Sequence, residues 1–165
     1  MWLFQKQIPD DDDVRLLRAG ARSIAESFGH DYIGVEHVFL SFRDLSQDHS
    51  LWSVLRAFEI DLDAFFSELQ TKARVEIGRV APSSLPLTPR LQNILRAANR
   101  MARRERASHV TPLHLLAAIA HERGSLPAVL LATAYRQSHP EIRYDRILAD
   151  TLLHRLLFPD HKELQ

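Results

Sequence analysis

The chain has 165 residues, of which 25% are charged and 45% hydrophobic, which is enough for one domain, or two small fused ones, with a real core. Its 21 Lys and Arg balance 21 Asp and Glu, so no global charge draws it to nucleic acid or an anionic membrane, and any such contact needs a local patch. Cysteine is absent, which excludes a disulfide framework and a thiolate zinc site and suits a reducing compartment.

The chain begins with an apolar Met1-Trp2-Leu3-Phe4 that runs at once into Pro9 and the acidic block Asp10 to Asp13. That is the wrong length and sign for a signal peptide. No apolar run approaches the roughly 20 residues that span a bilayer, and a cytoplasmic location is expected. A first helix is predicted over Val14–Phe28, where Leu17, Ala21, Ile24, Ala25 and Phe28 recur at steps of three and four. Asp10 to Asp13 offer it an N-cap and negative charge at the positive end of its dipole, and Gly29 stops it. A second helix should run from Val35 to about Asp44 on an apolar face of Val35, Val38, Phe39 and Phe42. A third should cover Leu51–Phe58, and a fourth should follow Asp61 as cap and bury Leu62, Phe65, Phe66 and Leu69.

After Lys72 the pattern dissolves around Gly78, Pro82, Ser83, Ser84 and Pro86, and residues 75–87 read as a linker. Thr88-Pro89 is an N-cap followed by proline at the first helical position. The stripe Leu91, Ile94, Leu95, Ala98, Met101 and Ala102 continues from it. Thr111-Pro112 repeats that start ahead of Leu115, Leu116 and Ile119. A seventh helix is expected over Ala128–Tyr135 and an eighth over about Arg143–Phe158, ended by Pro159.

The halves copy each other. A shift of 77 positions lays Leu17 on Ile94, Ala21 on Ala98, Ala25 on Ala102, Ile33 on Val110 and His37 on His114. Past Ser138 the shift becomes 82, laying Ile60 on Ile142 and Phe65 on Ile147. Matching positions agree in polarity more than in identity, as duplicated units that kept their packing should. The expected fold is all-α: two pseudo-symmetric four-helix repeats, about eight helices, packed as one domain. Repeat one would cover residues 10–74 and repeat two residues 88–157. An N-terminal extension would occupy 1–9 and a C-terminal tail 158–165.

The segment Phe28-Gly29-His30-Asp31-Tyr32-Ile33-Gly34-Val35-Glu36-His37 resembles the signature of the Clp ATPase N-terminal repeat, with Val35 in place of its threonine. Thr88-Pro89-Arg90 resembles the start of that family's second repeat, and the duplication fits. The resemblance covers roughly residues 10 to 157. It implies a non-catalytic module that docks adaptors, substrates or Clp protease components. No Gly-x-x-x-x-Gly-Lys nucleotide loop occurs in the sequence.

In some family members the repeat starts and the Glu of the Glu-His pair together bind phosphorylated arginine. A carboxylate suits the guanidinium, and helix-start hydroxyls and N–H groups suit the phosphate. Taken repeat by repeat, the first half keeps Glu36 but has Asp11 at the threonine position. The second keeps Thr88 but has Leu113 at the glutamate position. Each pocket is half present on that mapping, so phosphoarginine is not expected as a ligand. Glu36, Thr88 and Arg90 are the candidate partner-binding residues.

Other features weigh less. His37 and His114 occupy equivalent positions, yet no His-x-x-x-His pair shares a helix face with a third ligand, so interior, hydrogen-bonded histidines are expected and no metal or other cofactor. No Gly-x-Ser-x-Gly elbow or convergent acid–base pair can be assigned, and no enzyme activity is expected. Arg100, Arg103, Arg104 and Arg106 form the densest positive run. It supports an alternative reading as a helical nucleic-acid-binding regulator, although it lacks interleaved aromatics, and an acidic protein partner suits it better. The Leu152, Leu153, Leu156, Leu157 and Phe158 cluster reads as the core face of the last helix, with an exposed oligomer contact as the alternative.

Overall fold

A computed structural model describes residues 7–74 and 84–140. Helix α1 (Asp12–Ser27) starts where Asp11 accepts the Val14 N–H at 2.7 Å. It stops because Gly29 takes φ +71°, which lets Gly29 N–H reach Glu26 O and His30 N–H reach Ala25 O, both at 3.0 Å. Helix α5 (Pro89–Arg104) is built on the same plan. Thr88 Oγ1 accepts the Leu91 N–H at 3.2 Å, and Arg106 holds the left-handed position (φ +56°) so that Ala107 N–H closes on Ala102 O. Between them lie α2 (Val35–Ser41) with a 3-10 turn (Phe42–Asp44), α3 (Ser50–Arg56) and α4 (Leu62–Ala73), which Asp61 caps at 2.9 Å. After α5 come α6 (Pro112–Glu122) and α7 (Leu126–Ser138).

The all-α class and the repeat arrangement are those expected. Differences lie at the ends. The second predicted helix tightens to 3-10 geometry at Phe42, and His49 caps α3 through Nδ1 on the Leu51 N–H at 3.0 Å. Helix α7 begins two residues earlier than expected, because Ser125 and Pro127 supply a start signal offset by one from Thr88-Pro89. The predicted eighth helix with its leucine cluster, the segment Trp2-Leu3-Phe4 and positions 75–83 of the expected linker lie outside the described residues.

Packing follows the duplication. Helix α1 lies on α2, and α5 lies on α6. Both contacts run over small residues, Ala21 and Ala25 in one and Ala98 and Ala102 in the other, all fully buried. Gly20 belongs to the same close approach: a Cβ there would sit 3.1 Å from Ser41 Cβ. The third helix of each half then crosses over, α3 packing on α6 and α7 on α2, so the halves interlock. The first half is centred on Phe39, whose ring lies 4.9 Å from Phe42, 5.4 Å from Phe65 and 5.8 Å from Phe66. The second is centred on Leu91, Ile94, Leu115, Leu116 and Ile119. Each such side chain contributes roughly 1.5–3 kcal/mol by leaving water.

Two short parallel bridges complete the interlock. Ile33 N–H donates to Pro86 O at 2.8 Å and Thr88 N–H donates to Ile33 O at 3.0 Å. Their pseudo-symmetric counterparts join Asp11 N–H to Val110 O at 3.0 Å and Val110 N–H to Pro9 O at 2.8 Å. Each repeat therefore ties its leading segment to the loop before the second helix of the other. Among the described residues no single helix is long and apolar enough to cross a membrane.

Candidate functional site

The bridge between Ile33 and Leu87 brings the start of α5 against the loop that opens α2. A cleft of about 330 Å³ forms there, and Glu36, Thr88 and Arg90 all line it. Tyr32, Val35 and Leu126 give it apolar surface, Lys72 stands at the end of α4, and Ser125 caps α7. The three residues singled out in the sequence thus meet in one place.

Their environments differ. Glu36 is largely buried, with 17% of its side chain exposed, and its carboxylate folds back over Gly34, where a Cβ would collide with it. Burial, and then the Glu36 carboxylate beside it, hold the Tyr32 hydroxyl above its usual pKa, so it stays protonated and able to donate. Arg90 Nε is 2.9 Å from Glu122 Oε1, and the other oxygen of Glu122 accepts the N–H groups of Gly124 and Ser125 at 3.1 and 2.8 Å. One carboxylate therefore fixes both the Arg90 guanidinium and the start of α7. Ser125 Oγ is buried with no hydrogen-bond partner, a polar atom in the cleft wall that lacks an intramolecular mate.

The repeat-by-repeat mapping of two half-present pockets is corrected by this geometry. Because the bridges cross between repeats, Glu36 shares its cleft with Thr88 and not with Asp11. Asp11 is tied instead to Val110, just ahead of the helix that carries Leu113. One crossed site holds both the carboxylate and the threonine, and its counterpart has Asp11 and Leu113 at those positions. Local spacing carries no sign of this, since Ile33 and Leu87 are distant in sequence. Lys72 and Tyr32 were not foreseen either. Ser125 could have been found as a serine two positions before Pro127.

Behind the cleft the histidines build the scaffold. His37 Nδ1 accepts the Gly34 N–H at 2.8 Å, so its proton sits on Nε2 and is donated to His30 Nδ1 at 2.8 Å. His30 stacks on Tyr32 with ring centres 5.1 Å apart, and its own Nε2 is buried without a partner. Burial first, then the neighbouring His30, push the His37 pKa down to about 4. His114 repeats the arrangement: Nδ1 accepts the Thr111 N–H at 2.9 Å and Nε2 faces Glu105 Oε2 at 3.1 Å. Ligand atoms of His30, Glu36 and His37 lie within 4.8 Å of one another. Both histidine lone pairs are already spent on hydrogen bonds, which leaves a cation only the carboxylate.

Residues 12–134 match the model of the Clp repeat N-terminal domain. The chain belongs to that family. No curated protein matches it by sequence. Among solved structures, the Hsp104 N-terminal domain from Candida albicans is similar at 16% identity, with 86% of this chain and 99% of that one covered and a TM-score of 0.60. The N-terminal domain of the ClpV1 ATPase from Escherichia coli shares 23% identity over 80% and 84% of the two chains, with a TM-score of 0.61. That of the chaperone ClpD from Arabidopsis thaliana shares 15% over 82% and 98%, with a TM-score of 0.51. At such identities these structures speak for the fold alone. Clp repeat domains are non-catalytic protein-interaction modules of Clp ATPases.

In this Clp repeat chain the arginine run is divided by the end of α5. Arg100 and Arg103 line a groove beside Gln7–Asp10 with Arg18 and Arg96. Arg104 ends the helix, and Arg106 occupies the left-handed residue beyond it.

Proposed function

We propose that this chain is a docking module that grips a segment of another protein, an adaptor, a substrate or a Clp protease component, in the cleft of Glu36, Thr88 and Arg90. The observation that carries this reading is the company those groups keep. A carboxylate, a helix-start hydroxyl and a guanidinium converge around apolar Val35 and Leu126 in a recess of about 330 Å³, a size suited to one or two side chains. Apolar contact supplies most of the affinity there, and the charged rim selects the partner. A cytoplasmic address goes with this reading.

The crossed pairing favours one ligand within it. Glu36 can take a guanidinium while the Thr88 hydroxyl and the backbone N–H and side chain of Arg90 take a phosphate, the division of labour that phosphorylated arginine requires. Titration of free phosphoarginine against plain arginine tests this, with the Glu36→Ala protein as control.

The broader reading is tested by affinity capture from the source cell with mass spectrometry, wild type beside the Glu36→Ala/Arg90→Ala double variant. Clp subunits, adaptors or degradation substrates should be enriched on the wild type and fall by about tenfold on the variant. Recovery of none of these classes, or equal recovery by both proteins, rejects the cleft as the docking site.

A further inference from the structure

Helix α5 carries Arg90, Arg96, Arg100, Arg103 and Arg104 and no Asp or Glu, a one-sided stretch in a chain whose formal net charge is zero. Arg96, Arg100 and Arg103 follow one another at steps of four and three, which sets them on one helical stripe. Arg18 of α1 faces them across a groove of about 590 Å³, and its floor is made of the half-buried Ile8 and Leu95 with the buried Val110. The groove wall is fixed in place: Asn99 Nδ2 donates to Ile8 O at 2.9 Å, and the Pro9–Val110 bridge continues it.

Part of this charge has no carboxylate partner among the described residues. Arg18 is paired to Asp10 at 2.6 Å. Arg96 bonds only the neutral amide of Asn93, at 2.6 Å, and no carboxylate meets Arg96 or Arg100 among the described residues. Like charges at i and i+4 cost a helix a few tenths of a kcal/mol, so the stripe works against the stability of α5 in the free protein. A ligand bearing carboxylates would reverse that.

We propose that this groove binds an acidic polypeptide segment that also carries an apolar side chain. Carboxylates of the segment pair with the forked guanidinia of Arg96 and Arg100, and its apolar residue covers Ile8 and Leu95. The Asp10–Arg18 pair is the same contact made within the chain. A nucleic acid fits less well: among the described residues no aromatic side chain lines the groove to stack a base, and its floor is apolar. The groove shares no lining residue with the cleft of Glu36, so this inference stands or falls independently of the proposed function.

The test uses the full 165-residue chain and fluorescence anisotropy. The probe is a fluorescein-labelled peptide of repeated Glu-Glu-Leu triplets. The comparison ligands are the same peptide with Gln for Glu and a labelled oligothymidylate of equal length. The Glu peptide should bind and weaken as salt rises from about 50 to about 300 mM. Binding should fall by about tenfold or more in Arg96→Glu/Arg100→Glu and stay within about twofold in Arg56→Glu, a single charge reversal at a remote site. If melting shows the double reversal to be misfolded, Arg96→Gln/Arg100→Gln should still weaken the peptide severalfold. No binding at low salt, equal binding by the Gln peptide, equal loss in Arg56→Glu, or tighter binding of the oligonucleotide would overturn the proposal.

Discussion

Replacing His37 by glutamine should remove a large part of the chain's sensitivity to mild acid. His37 is fully buried, accepts the Gly34 N–H with Nδ1, and has its pKa pushed down to about 4 by burial and by His30. In the unfolded chain the same imidazole titrates near 6.5. A depressed folded-state pKa means that the unfolded chain takes up the proton first. The native state therefore keeps its full stability above about pH 6.5 and loses it as pH falls toward about 4. Between about pH 7.5 and about pH 5 this one group should cost about 2 kcal/mol, and in a domain of this length that lowers the melting temperature by about 4–8 °C.

Glutamine at this third helical position can still accept the N-cap N–H, as in a capping box, but does not titrate. Urea denaturation of both proteins at the two pH values gives the comparison. The wild type should lose about 2 kcal/mol more than His37→Gln over this interval, with the two curves parallel at neutral pH. An identical loss in both proteins would show that the histidine relay is not the acid-sensitive element, and the reasoning from burial would fail.

Two further substitutions probe the fold. At the matched helix ends, Gly29→Ala forces a side chain into φ +71° and should cost about 1–2 kcal/mol, whereas Arg106→Gly relieves φ +56° and should gain up to about 1 kcal/mol; thermal melts that move both variants the same way would contradict this. Phe39→Ala empties the centre of the first aromatic cluster and should cost about 3–5 kcal/mol in urea melts, and a loss below about 1 kcal/mol would mean that the cluster is not packed as described.

Several of these features were legible in the order of residues, because they are local. Asp61 and Thr88 cap their helices, Gly29 takes the left-handed turn that ends α1, and the 77-residue offset lays α1 on α5 residue for residue. Periodicity and capping are decided within a few residues of each position, so sequence carries them. Arg106 shows the limit: it performs the role of Gly29 without being glycine, and nothing in its identity announces a positive φ. His49 is a similar case, a capping histidine with no cap signature of its own.

The site depended on something else. Glu36, Thr88 and Arg90 could be chosen one by one from the sequence, but which of them share a cleft was decided by the crossed bridges Ile33–Leu87 and Asp10–Val110. Those pairings join segments far apart in the chain, and their stability comes from the whole interlocked packing of α3 on α6 and α7 on α2. Local propensity fixes where each helix begins and ends. Only the burial of both halves against each other fixes which helix starts face one another, and for that reason the carboxylate of one repeat meets the hydroxyl of the next.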